Sequence, residues 1–143
     1  MKFLIAGTTA ALFLAGTAYG ESLEINPGEW TYTTSGTMEM MGMNMPVPEE
    51  SETECVTEED AVFDSDDIAD ENCELSLTDS TSTSQTYSMM CDAEGTTMTG
   101  EVFISVEDGG NSVALTTSMQ GETEMGAMQI NVNVAGERIG QCQ

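Results

Sequence analysis

Cys73 and Cys91 close the stretch CELSLTDSTSTSQTYSMMC, each nine residues from Ser82. Apolar residues alternate with polar ones on both sides of that centre. Folding the chain about Ser82 brings Cys73 to Cys91, Leu75 to Met89 and Leu77 to Tyr87. All six then share one face, and a slip of one residue would scatter them to both faces. Directly opposed residues of an antiparallel pair have Cα atoms about 4.5–5.5 Å apart, within the range a disulfide spans. The pattern therefore predicts a hairpin closed by Cys73–Cys91. The chain has 4 cysteines, which leaves Cys55 to pair with Cys142.

The same alternation recurs along the chain, punctuated by turn residues. VFISVEDGGNSVAL folds about Gly109-Gly110, a dipeptide suited to a two-residue turn, with Val106 opposite Val113 and Ile104 opposite Leu115. Cys91 to Met98 closes about Glu94-Gly95. A further hairpin about Thr123-Glu124 sets Met119 opposite Met128, Thr117 opposite Ile130 and Leu115 opposite Val132. The first hairpin folds about Gly42-Met43, with Trp30 opposite Cys55 and Met38 opposite Val47. TEEDAVFDSDDIADEN breaks the alternation. Thr57 with Asp60 resembles a capping box with Asp in place of Glu, which predicts one short helix near 57–70. The expected fold is mainly β: an antiparallel meander of about seven strands, a curved single sheet or half-barrel, stapled by two disulfides.

Export is the second expectation. Lys2, the apolar run FLIAGTTAALFLAG and the small residues Ala18 and Gly20 read as a secretory signal peptide over 1–20. The apolar run is too short for a bilayer span. The remaining 21–143 is expected to be a single domain, not membrane-spanning after cleavage, in the periplasm or secreted. An even number of cysteines suits that oxidising setting. The stabilisation expected from closing the small loop is about 3 kcal/mol, and from the large loop about 4–5 kcal/mol.

Charge and composition exclude several functions. The chain carries 26 acidic residues against 2 cations and has no histidine. After Gly20 the only cation is Arg138. Such a surface repels nucleic-acid phosphates and anionic headgroups. It suits solubility in a saline habitat, or attraction of a cationic partner. Without histidine, the commonest general base and metal ligand is missing. No G-x-S-x-G and no phosphate-cradling glycine loop is present, and 21–143 has no lysine for a Ser–Lys dyad. No catalytic residue is assigned, and the domain is expected not to be an enzyme.

NPGEW at Asn26–Trp30, the methionine-rich stretch after it, CVTEEDA from Cys55, the cysteine-bounded hairpin and the closing GERIGQC together resemble a family of small exported proteobacterial proteins catalogued as a domain of unknown function. That resemblance spans essentially all of 21–143. It implies export and a β-rich domain, and it implies no activity.

Three groups of residues are candidate sites. Met38, Met40, Met41, Met43 and Met45 lie within MEMMGMNM. Thioethers are soft ligands that select Cu(I). Methionine also fills irregular gaps in cores. In the register about Gly42-Met43, Met38, Met40 and Met45 face the apolar side and Met41 and Met43 belong to the turn. Asp64, Asp66, Asp67 and Asp70 offer oxygen ligands to Ca²⁺ but lack the glycine and closing glutamate of an EF-hand, so a solvated acidic helix is the simpler account. Arg138 is expected to relieve repulsion among neighbouring carboxylates, or else to anchor an acidic ligand. No other cofactor is expected. The leading functional expectation is a non-catalytic domain that binds an apolar small molecule, a lipid or an envelope protein through its curved sheet. A periplasmic Cu(I)-binding accessory protein and a structural envelope protein are the alternatives.

Overall fold

A computed structural model describes residues 22–63 and 71–143. The expected signal segment 1–20 and the acid cluster Asp64, Asp66, Asp67 and Asp70 lie outside the described residues. Seven strands form one antiparallel sheet: β1 (Gly28–Met40), β2 (Met43–Val56), β3 (Cys73–Ser80), β4 (Ser84–Ala93), β5 (Thr96–Glu107), β6 (Ser112–Thr123) and β7 (Gly126–Gly140). Their order is β2-β1-β7-β6-β5-β4-β3. From β3 to β7 each strand pairs with the next, as a meander requires. The β1–β2 hairpin joins the sheet through β1 on β7, so β2 and β3, consecutive in sequence, occupy opposite edges. The sheet stays open.

Each edge has its own protection against further pairing. β2 carries Pro46 and Pro48, which lack the N–H a ladder needs, together with Glu49, Glu50, Glu52 and Glu54. β3 is the shortest strand, 8 residues, and carries Glu74 and Asp79. Short, charged or proline-bearing edges are poor templates for another chain.

The disulfides follow the expected pairing. Cys73 bonds Cys91 across the β3–β4 ladder. Cys55, near the end of β2, bonds Cys142 beyond β7 and reaches past β1 to do so. The β3–β4 register is the expected one, with Leu75 opposite Met89 and Leu77 opposite Tyr87. So are Cys91 opposite Met98 and Val106 opposite Val113.

Two registers differ from expectation. β6–β7 is offset by two residues: Met119 faces Ile130, Thr117 faces Val132 and Leu115 faces Val134. A two-residue offset leaves every side chain on its expected face, because the strand period is two. The β1–β2 turn is Met41-Gly42, both with positive φ, the combination a tight two-residue turn demands, with glycine second. Trp30 therefore faces Glu54, and Met38 faces Met45. The register then shifts where Pro48 and Glu49 together oppose Ser35, a bulge at residues of which one cannot donate to the ladder.

The helix expected near 57–70 is not present over the part described. Residues 58–61 form a turn, and Val62 bridges Glu24. The local Thr57–Asp60 chemistry does form: Thr57 Oγ1 donates to Asp60 Oδ2 at 2.8 Å. Helix cannot propagate from it because the backbone is engaged elsewhere. Ile25 N donates to Ala61 O at 2.8 Å and Phe63 N donates to Leu23 O at 2.9 Å. These two segments pack on one face of the sheet. Their Leu23, Ile25 and Ala61 join Trp30, Val56, Tyr87, Met89, Val102, Ile104 and Val113 in a single buried core.

Candidate ligand-binding face

Among the described residues, the core face is sealed at one end and uncovered at the other. At the sealed end Trp30 is fully buried. Its indole Nε1 donates to Asn26 O at 2.8 Å. Asn26 in turn latches the turn between β5 and β6, donating from Nδ2 to Gly109 O at 3.1 Å and to Asn111 Oδ1 at 2.9 Å. Arg138 Nε donates to Pro27 O at 2.8 Å. The lone cation after Gly20 thus holds a backbone carbonyl of the N-terminal arm rather than a carboxylate. Gly28 makes room for it: with φ +151°, a Cβ there would meet Gly140 O and the Arg138 guanidinium.

Beside this plug lies a cavity of about 550 Å³, lined by Ile25, Tyr32, Val56, Val62, Phe63 and Leu115, with Glu54, Cys55 and Asp60 at its margin. Tyr32 stacks on Trp30 with ring centroids 6.0 Å apart and planes 14° apart. Its ring lies over the backbone of Gly136, where a Cβ would come 2.7 Å from Tyr32 Cε1. The missing side chain on β7 therefore sets where the tyrosine sits. Burial first, and the Glu54 carboxylate second, raise the Tyr32 hydroxyl pKa above its usual value.

Beyond Tyr32 the same face becomes rich in methionine. Met38 faces Met45 and Met40 faces Met43 across β1–β2. On β7, Ile130 faces Met38 and Met128 faces Met40. Met119 on β6 and Met98 on β5 continue the row. Met38, Met40, Met98, Met119 and Met128 are half-buried, while Met43 and Met45 are 62% and 43% exposed. The segments 22–27 and 57–63 stop short of this end. Met41, in the turn, is 65% exposed.

Of the five expected methionines, four therefore share one face as two cross-strand pairs, and Met41 stands apart. Met43 is a strand residue, not the turn residue the expected register made it, because the turn sits one residue earlier. Sequence alternation pointed to the first hairpin and missed that Met98 and Met128 extend the row, since that requires β1 to lie on β7. The glutamates of β2 were missed for a related reason: the one-residue difference in register moves Glu50, Glu52 and Glu54 to the side of Trp30 and Tyr32.

The opposite face is largely polar, with Met90 and Phe103 exposed among its threonines and serines. Thr31 pairs with Thr53 at 3.1 Å and Thr33 with Ser51 at 3.0 Å, and Ser118 donates to Asn131 at 2.9 Å. Among the described residues no group of three His, Cys, Asp or Glu side chains converges to hold a metal ion. No helix among them is long and apolar enough to cross a membrane.

Residues 25–142 match the family model described as protein of unknown function DUF3617. The chain belongs to this family. No curated protein and no solved structure matches it. The part of the chain matched to DUF3617 runs from Ile25 in the N-terminal arm to Cys142 in the second disulfide. It thus takes in the whole sheet, the Asn26–Trp30 latch and Arg138.

Proposed function

We propose that this domain is an exported, non-catalytic binding module that receives an apolar ligand on the core face of its sheet. The observation that carries the reading is the asymmetry of that face. One end is closed by Leu23, Ile25, Ala61 and Trp30. The other presents Met38, Met40, Met98, Met119, Met128 and Ile130 without a cover among the described residues. Methionine adapts its unbranched, polarisable side chain to ligands of varied shape, and an adjoining apolar cavity is the usual form of a small-molecule site. The ligand class is an acyl chain, another apolar molecule or an apolar segment of an envelope protein. Titration of 1-octanol, followed by the fluorescence of Trp30 and by thermal melting, tests the reading. Saturable binding with a rise in melting temperature is expected, and loss of both in Ile130→Glu. No saturable binding would sink it.

Export is supported by the sequence of 1–20 and by two disulfides, which persist in oxidising compartments. N-terminal sequencing of the cell-envelope fraction is expected to begin at Glu21.

The cross-strand pairs Met38–Met45 and Met40–Met43 favour a second reading, Cu(I) binding. Opposed residues in a sheet have Cβ atoms about 4.5–5.5 Å apart, so the two thioethers of each pair are within reach of one ion, and the two pairs are neighbours on one face. Titration with Cu(I) against a competing chelator tests it. Binding that survives competition, and is lost in the double variant Met38→Leu, Met45→Leu, is expected; absence of micromolar binding ends it.

A further inference from the structure

We infer that the cavity beside Tyr32 takes a cationic amphiphile, an ammonium group on an apolar body, with Glu54 as the counter-charge. The inference rests on the apolar-ligand reading above and names the charge of the ligand.

The walls define the body. Ile25, Tyr32, Val56, Phe63 and Leu115 are among the residues lining an open cavity of about 550 Å³, a volume in the range of small-molecule sites. Glu54 defines the head. It stands on the edge strand, opposite Trp30 in the ladder, and lines the same cavity. Its carboxylate makes no hydrogen bond or ion pair among the described residues. Asp60, the other carboxylate at the margin, already accepts a hydrogen bond from Thr57 at 2.8 Å. Arg138 stands on the far side of Trp30 in the ladder, its Nε donating to Pro27 O at 2.8 Å, and it makes no ion pair with Glu54 among the described residues. The raised pKa of Tyr32 has the Glu54 charge among its causes, so that charge is felt inside the cavity.

A metal ion suits the site poorly. Calcium requires six to eight oxygen ligands, and these walls are mostly hydrocarbon. An anion is opposed by Glu54 and by a net charge of −24. An ammonium is favoured by the carboxylate, by the overall field and by the face of an aromatic ring. An acyl chain or aromatic body behind it fills the apolar part.

The experiment uses the disulfide-bonded, processed protein. It is titrated with octyltrimethylammonium, 1-octanol and octyl sulfate at about 0.15 M salt, where unspecific surface attraction is screened beyond about 8 Å. By Coulombic attraction to Glu54 and contact with the Tyr32 ring, the ammonium is expected to bind about tenfold more tightly than the alcohol, and the sulfate least tightly. Glu54→Gln, nearly isosteric on an exposed edge position, is expected to remove most of the ammonium's advantage over the alcohol. Glu101→Gln, which removes a carboxylate from the opposite face, is expected to leave the preference intact. Equal affinity for ammonium and alcohol overturns the inference while leaving the apolar-ligand reading standing. Equal losses in the two glutamine variants do the same, because they trace the preference to the general field. Failure of all three ligands to bind overturns both readings.

Discussion

Arg138 Nε donates to the carbonyl of Pro27 at 2.8 Å, although 111 positions of sequence separate the two residues. This contact joins the last strand to the arm that plugs the core face. The neighbouring Gly28 has no side chain to obstruct it. The two end motifs, NPGEW and GERIGQC, are thus parts of one latch. Arg138→Ala is expected to lower stability by about 1–2 kcal/mol, the scale of one hydrogen bond from a charged donor. Gly28→Ala is expected to cost more, about 2–3 kcal/mol, because both its φ and its surroundings exclude a Cβ. Urea unfolding followed by circular dichroism measures both.

Trp30 is the largest fully buried side chain. Trp30→Ala is expected to destabilise by about 3–5 kcal/mol through the cavity it leaves. Trp30→Phe should lose less, but more than ring volume alone explains, since Asn26 O then has no indole donor. The same unfolding measurement separates the two, with Asn26→Ala as the reference for the latch itself.

The two disulfides close loops of very different length, with separations of 18 and 87 residues. On the chain-entropy account, removing Cys73–Cys91 costs about 3 kcal/mol and removing Cys55–Cys142 about 4–5 kcal/mol. Paired alanine variants are expected to melt in that order. A lower melting temperature for the Cys73→Ala, Cys91→Ala protein would show that native contacts at β3–β4 outweigh loop length.

Tyr32 links pH to stability. Its folded pKa is raised by burial and then by Glu54. The unfolded chain therefore releases this proton near the ordinary value of about 10, while the folded chain holds it to higher pH. The contribution is complete below about pH 10 and is lost as pH rises through the folded value. Unfolding free energies from about pH 9 upward are expected to fall more steeply in the parent protein than in Tyr32→Phe. Glu54→Gln is expected to lie between them, because it removes the second cause and leaves the first.

Gly136 sets the position of Tyr32. Gly136→Ala would place a Cβ 2.7 Å from both Tyr32 Cε1 and Val113 Cγ1, so the ring must move. The expected result is a loss of octyltrimethylammonium affinity at least as large as in Glu54→Gln, with a melting temperature lowered by the strain. Unchanged affinity would place the ligand away from Tyr32.

The hairpins were legible from alternation alone wherever a turn signal and a paired apolar pattern agreed. Cys73 opposite Cys91, Val106 opposite Val113 and Cys91 opposite Met98 are of this kind. Leu115 was placed on the correct face with the wrong partner, because a period of two cannot distinguish Val132 from Val134. At β1–β2 the turn lies one residue earlier than expected, so Met38 meets Met45 instead of Val47, and the bulge reduces the difference to one residue at Trp30: Met38 to Met45 offers many near-equivalent apolar pairings, and the preference of the turn for Gly42 at its second position decided among them.

Sequence by itself determined the strands, the shared apolar face and both sulfur pairings, since these follow from local periodicity and from an even count of cysteines. Tertiary structure alone decided that β1 lies on β7, that Ala61–Phe63 pairs with Leu23–Ile25 instead of forming helix, and that Glu54 stands beside Tyr32. Each of these joins residues far apart in the chain. Their pairing is selected by the total apolar area that can be buried at once, a quantity no single stretch of sequence contains.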